Sequence, residues 1–205
     1  MKNYVITIAR QFGSGGKTIG QMLADELGIN CYEREIIRMA SDDSGISEQL
    51  FESVDERIRT NSFFKFREIY RGGLILPEED GFTSDKNLFN YQAKIITQLA
   101  ANQSCIIIGR CADFILRDNP NVVSVFVHAP KDFLHEKALE RVSEHTHDID
   151  KYVERINKYR ADYYKHYTGR DWYDLRNYDL VLDSSKLGFD KCVEQIKSYL
   201  DIKFK

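Results

Sequence analysis

Short apolar runs alternate along this chain with longer segments whose apolar residues recur every three or four positions, a pattern that predicts strands joined by helices. The first run, Val5-Ile6-Thr7-Ile8-Ala9, leads through a glycine cluster into a segment with Ile19, Met22, Leu23 and Leu27 at helical spacing, stopped by Gly28. Ile29-Asn30-Cys31-Tyr32 predicts a short second strand that runs into Glu33-Arg34-Glu35. From Glu35 to about Leu76 the pattern is mainly helical, with Phe51, Val54 and Ile58 at turn spacing, an aromatic group at Phe63, Phe64 and Phe66, and a break at Gly72-Gly73. That stretch is too long for a plain crossover, so it predicts an insertion capping the sheet, its aromatics forming that insertion's core and Pro77–Gly81 its mobile loop.

Thr83, Ser84 or Asp85 can cap the next helix, whose face carries Leu88, Tyr91, Ile95 and Leu99. Cys105-Ile106-Ile107-Ile108 is apolar throughout and predicts a strand buried on both faces, ending in Gly109-Arg110 with Asp113 close behind. A fourth strand, Val122–Val127, reaches Pro130 and a helix with Leu134, Ala138 and Val142. Tyr178–Leu182 predicts the last strand, Asp183–Lys186 a turn, and Phe189, Cys192, Val193, Ile196 and Leu200 a closing amphipathic helix. Strands alternating with helices predict an α/β fold with a parallel sheet.

The junction of the first strand and helix carries the clearest chemistry. In Gly13-Ser14-Gly15-Gly16-Lys17-Thr18 the glycines let consecutive N–H groups point into a nest, and the helix N-terminus adds partial positive charge where a phosphate would sit. Lys17 would reach the terminal phosphates of a bound ligand and Thr18 would ligate Mg²⁺. The full pattern wants glycine at position 11, where this chain has Gln11. Two other readings stand beside it: the glycines would also serve a plain tight turn, and Gly13-Ser14-Gly15 with Glu33 about twenty residues on could open a dinucleotide fingerprint. Thr18 at the sixth position and the charge of Lys17 fit that fingerprint poorly.

Ligands of open parallel sheets gather at the carboxyl ends of strands, which makes Glu33, Arg34, Arg110 and Asp113 candidates for substrate contact. Glu33 and Arg34 would equally serve to open the following helix. Between Ile149 and Arg176 an apolar stripe (Ile149, Val153, Ile156, Tyr159, Tyr163) is backed by basic residues that include Arg155 and Arg160. Such a face is often only solvated, but beside a phosphate loop its arginines can neutralise charge on a transferred group.

Composition narrows the class further. The 205 residues are enough for one domain with a single core, and 42% hydrophobic with 30% charged residues describes an ordinary globule. A formal charge of −3 argues against a dedicated nucleic-acid surface, so the expected partners are small molecules. No apolar run approaches a membrane span and no leader pattern opens the chain, so a cytoplasmic protein is expected. Cys31, Cys105, Cys111 and Cys192 are scattered without framework spacing and read as reduced core residues. His145 and His147 with Asp148 and Asp150 lack the spacing of a full zinc ligand set and read as a solvated polar turn.

The chain resembles the cytidylate-kinase-like proteins, relatives of the nucleoside monophosphate kinases. The resemblance rests on Arg10–Gly16, Tyr32-Glu33-Arg34-Glu35-Ile36-Ile37, Ile107-Ile108-Gly109-Arg110-Cys111-Ala112-Asp113, Arg160-Ala161-Asp162-Tyr163-Tyr164 and Tyr178–Leu182. It implies a P-loop NTPase fold: a five-stranded parallel sheet with helices on both faces, an NMP-binding insertion at about 35–85 and a helical lid at about 145–176. It also implies ATP-dependent phosphoryl transfer, with Gly13 to Thr18 holding the ATP phosphates, Arg110 on the acceptor phosphate, and Arg155 and Arg160 in the lid. Gln11 is shared with that family, whereas Lys17 is missing from many of its members. Two positions depart from cytidylate kinases: Ile108 stands where they carry aspartate, and Asn157 where their lid has aspartate three residues before the arginine. Asp113 or Glu33 would then have to supply the supporting carboxylate.

Overall fold

The computed structural model describes residues 3–53, 70–141 and 148–204. Its strands are β1 (Val5–Arg10), β2 (Asn30–Tyr32), β3 (Cys105–Ile108), β4 (Val122–His128) and β5 (Leu180–Asp183). They form one all-parallel sheet in the order β2-β3-β1-β4-β5. The helices are α1 (Gly16–Leu27), α2 (Glu35–Ser44), α3 (Asp85–Asn102), the single turn α4 (Ala112–Ile115), α5 (Lys131–Leu139), α6 (Ile149–Thr168) and α7 (Ser184–Phe204).

Burial on both faces explains why β3 is apolar throughout and why β1 and β4 are apolar apart from Thr7, Arg10, Ser124 and His128. Ile6, Ile8, Ile106, Ile108, Val123 and Val125 point to one side, where Ile19 and Leu23 of α1 and Cys192, Val193 and Ile196 of α7 cover them. Val5, Ala9, Cys105, Ile107 and Phe126 point to the other, into a core shared with Ile36, Leu88, Ile96, Tyr163 and Tyr167. Register follows from this alternation, since a slip of one residue would exchange the two faces. Val5 pairs with Cys105 and with Val122, so β1 is the middle strand and its carboxyl end opens at the centre of the sheet's edge.

Several boundaries differ from the expectation. The helical pattern after Glu35 breaks at Gly45, a left-handed cap whose N–H donates to Ser41 O at 2.8 Å, and resumes over residues 48–53. Val54, Ile58, Phe63, Phe64, Phe66, Val142, His145 and His147 lie outside the described residues. Asn87 holds the ends of the Pro77–Gly81 loop, its Oδ1 accepting from Ile75 N and its Nδ2 donating to Ile75 O and Phe82 O. β5 begins two residues later than predicted because Asp179 is engaged sideways, its carboxylate accepting from Ser124 N at 2.8 Å. The expected turn at Asp183–Lys186 is instead the start of α7: Asp183 Oδ1 accepts from Ser185 N at 3.0 Å, and the bend falls at Gly188. Ser84, one of three candidates, caps α3 by accepting from Asn87 N.

Among the described residues no helix is long and apolar enough to cross a membrane, and no group of three or more His, Cys, Asp or Glu is arranged to hold a metal ion. The four cysteines are free thiols; burial pushes Cys105 up to about 12 and Cys31 and Cys192 up to about 11, so none of these three is a ready nucleophile.

Candidate active site

The loop between β1 and α1 is built as a cradle. Gln11 N–H donates to Val127 O at 3.0 Å, and Gln11 O accepts from both Ser14 N and Ser14 Oγ, which turns the chain back on itself. Gly13 has φ +85°, and a Cβ there would lie 2.5 Å from the Leu134 carbonyl oxygen, a backbone atom that cannot swing aside. The side chain of Gln11 ties the loop to the end of β4, its Oε1 accepting from Ala129 N at 3.1 Å. A glycine could not make that link.

Sheet order decides what faces the loop. β3 and then β2 lie on one side of β1, so Gly109-Arg110 and Glu33 emerge beside the loop on that side. There they border a cleft of about 640 Å³ that is also lined by Arg10, Arg34, Asp113 and Arg160. Lys17, 60% exposed at its side chain, points to the same place: its Nζ is 2.6 Å from Glu33 Oε2, while Arg10 Nη2 is 2.7 Å from Glu33 Oε1. Burial pushes the Glu33 carboxyl up, but Arg10 and Lys17 outweigh it and hold it below the ordinary carboxylate range. Arg34 stands at the N-cap of α2 without a side-chain capping bond, and the acid of the first turn is Glu35, whose Oε2 accepts from Glu33 N at 2.9 Å. Arg34 is exposed at the rim.

Arg110 owes its aim to an unusual backbone. Gly109, Arg110 and Cys111 all have positive φ (74°, 58° and 54°), and Arg110 and Cys111 are the non-glycine residues with this conformation among those described. This turn directs Arg110 into the cleft, where Nη1 donates to the buried Gln92 Oε1 at 3.4 Å. Glycine suits position 109 because its φ is +74° and because a Cβ there would displace the Arg10 guanidinium.

Asp113 is buried and committed elsewhere, accepting from Tyr164 Oη at 2.6 Å and from backbone N–H groups at its own turn. Burial pushes its carboxyl up to about 6. Ile108, at the inner end of the cleft, turns its side chain into the core under α1, where a Cβ on Gly20 would meet its Cδ1, so this position supplies the site no carboxylate.

Helix α6 packs on the loop and borders the same cleft through Tyr159, Arg160, Tyr163 and Tyr164. Asn157, buried, accepts from Phe12 N at 2.7 Å, and Arg160 Nη1 donates to Arg10 O at 2.9 Å. Arg155 is placed differently: it is exposed, with its guanidinium 5.4 Å from the centre of the Tyr152 ring, and does not line the cleft. A helix turns about 100° per residue, so the basic residues of α6 cannot all face one site. Arg141, at the end of α5, donates from Nη2 to Thr18 Oγ1 at 2.7 Å. The sequence motifs assign no role to Arg10, Gln92, Arg141 or Tyr164. Arg10 and Tyr164 sit inside motifs that carry the family resemblance; Gln92 and Arg141 carry no local signal and come from positions far along the chain.

Residues 5–186 match the model of the cytidylate kinase-like family. The chain belongs to that family. A crystal structure of an uncharacterised protein from Eubacterium ventriosum superposes with a TM-score of 0.68 at 27% identity, covering 97% of this chain and 99% of the other. Shikimate kinase from Bacteroides thetaiotaomicron gives 0.56 at 13% identity (97% and 98% covered), and a gluconokinase from Sinorhizobium meliloti 0.52 at 13% (100% and 99% covered). At such identities these two show the shared P-loop kinase fold. No curated protein matches the sequence.

Proposed function

We propose that this protein transfers the γ-phosphoryl group of ATP to a small anionic acceptor, with a nucleoside monophosphate such as CMP as that acceptor. The observation that carries the reading is the meeting of two sites: the lysine of the phosphate loop and Arg10 share one carboxylate, Glu33, at the edge of a cleft that Arg110 and Arg160 also line. Glycines at positive φ (Gly13 and Gly15) let the loop's N–H groups turn inward, which suits phosphate oxygens at the start of α1. Lys17 and the loop N–H groups would hold the ATP phosphates, Arg110 the acceptor anion, and Arg160 the developing charge between them. Thr18 would hold Mg²⁺, which when bound would neutralise the phosphate oxygens. The segment at about 35–85 would then bear the acceptor and that at about 145–176 serve as the lid, all within a single kinase domain acting in the cytoplasm.

Ile108 favours a second acceptor class, because the aspartate of cytidylate kinases is absent: a small hydroxylated carboxylate or phosphorylated metabolite. One experiment separates the two. Purified protein with Mg²⁺ and ATP is offered nucleoside monophosphates and hydroxylated acids in turn, and ADP formation is followed. CMP-dependent ADP formation is expected. Turnover only with a hydroxylated acid would move the assignment to the second class, and ATP binding without turnover on any acceptor would defeat both.

A further inference from the structure

Arg10 is the last residue of the central strand, and its carbonyl is where Arg160 of α6 docks. Its side chain is 16% exposed, and its guanidinium lies over the backbone of Gly109, where β3 turns into Arg110. Burial lowers its pKa, Glu33 opposes that, and Arg110 reinforces it, so two guanidinium groups face the same small space. An arginine keeps its proton in such a setting, and like charges gathered beside a cleft stay stable only with an anion between them. Glu33 supplies such an anion to Arg10, shared with Lys17, while Arg110 Nη1 is turned to Gln92. Arg10 therefore stands between the group that reaches the ATP phosphates and the group that faces the acceptor.

We propose that Arg10 is a catalytic residue that contacts the phosphoryl group in transit, with Glu33 as its positioning residue. This rests on the kinase reading above. An acceptor phosphate oxygen forms its bond to the γ-phosphorus as the bond to the β–γ bridging oxygen breaks, and the electron pair leaves with ADP. A dianionic acceptor brings no proton to that step, and Arg10 neither gives nor takes one. What it supplies is a fixed positive charge and planar N–H donors toward oxygens that carry more charge in the transition state than before it. A strand-borne side chain held by a carboxylate needs no reorganisation to do so.

The test compares wild type with Arg10→Met and Arg10→Lys, reading phosphoryl transfer together with affinities for Mg·ADP and for the non-hydrolysable Mg·AMP-PNP. Arg10→Met should lower kcat by about 100-fold or more, the range for losing one preorganised transition-state donor. It should also erase the preference for AMP-PNP over ADP while leaving ADP affinity within about threefold, a pattern that a merely structural residue, weakening both nucleotides alike, would not give. Arg10→Lys keeps the charge and the Glu33 pair, so it guards against a misfolded methionine variant, and it should still lose about tenfold in kcat. Wild-type turnover and nucleotide preference in Arg10→Lys, or parallel loss of ADP and AMP-PNP affinity in Arg10→Met, would overturn the proposal. Should wild type transfer to no acceptor, the kinase reading fails, and the AMP-PNP-to-ADP ratio still decides whether Arg10 touches the terminal phosphate.

Discussion

Asn157 Oδ1 accepts a hydrogen bond from Phe12 N–H at 2.7 Å, joining the middle of α6 to the phosphate loop across 145 residues of sequence. The acceptor is buried, so deleting it leaves a backbone donor without water to replace it. Asn157→Leu is expected to cost about 1–3 kcal/mol in urea unfolding and to speed hydrogen exchange at the Phe12 amide. Wild-type protection of that amide in the variant would show that the loop does not depend on α6.

Lys17 separates catalysis from stability. Its ion pair with Glu33 is short, but the lysine is largely exposed and Glu33 keeps Arg10, so Lys17→Ala should leave the thermal midpoint nearly unchanged. ATP-dependent turnover should fall by orders of magnitude. A variant that retained turnover would remove the phosphate loop from the chemistry.

Asp113 predicts a pH dependence of stability. Its carboxyl titrates at about 6 in the fold against an ordinary 3.8, because burial disfavours the charge more than Tyr164 and the backbone N–H groups restore it. Between those values the folded state holds more protons than the unfolded one, so this group's contribution is full below about pH 4 and is lost as pH rises through 6. The loss is on the order of 3 kcal/mol. Asp113→Asn still accepts from Tyr164 but cannot titrate, and its unfolding free energy should lack that slope. Parallel pH profiles for the two proteins would contradict the assignment.

Gly109 is the spacer that lets Arg10 lie against the end of β3. Gly109→Ala meets two penalties, a left-handed φ of 74° and a methyl group inside the guanidinium, and should destabilise by about 1–3 kcal/mol. Because Arg10 must move, transfer activity should fall more than the remaining folded fraction explains. Equal losses in both would leave Gly109 a purely structural glycine.

The sequence by itself determined the framework. Strands such as Cys105–Ile108 lie between two layers of helices because every side chain is apolar, and Gly13 to Thr18 form a turn into a helix because the glycines allow positive φ and Ile19, Met22, Leu23 and Leu27 follow at helical spacing. These are short-range constraints, written in periods of two and 3.6 residues. Gln11 shows where such reading ends: by motif it is a missing glycine, and only its bond to Ala129 N reveals the link it makes. The candidate site was legible one residue at a time, as charged positions at strand ends, while their grouping was not. That Glu33 joins Lys17 to Arg10, that Asp113 turns to Tyr164, and that Arg160 reaches the loop while Arg155 faces solvent depend on strand order and on the rotation of α6. Those are contacts between residues up to 150 positions apart. Local periodicity says which face of an element is buried; only the packed sheet decides which neighbour that face meets.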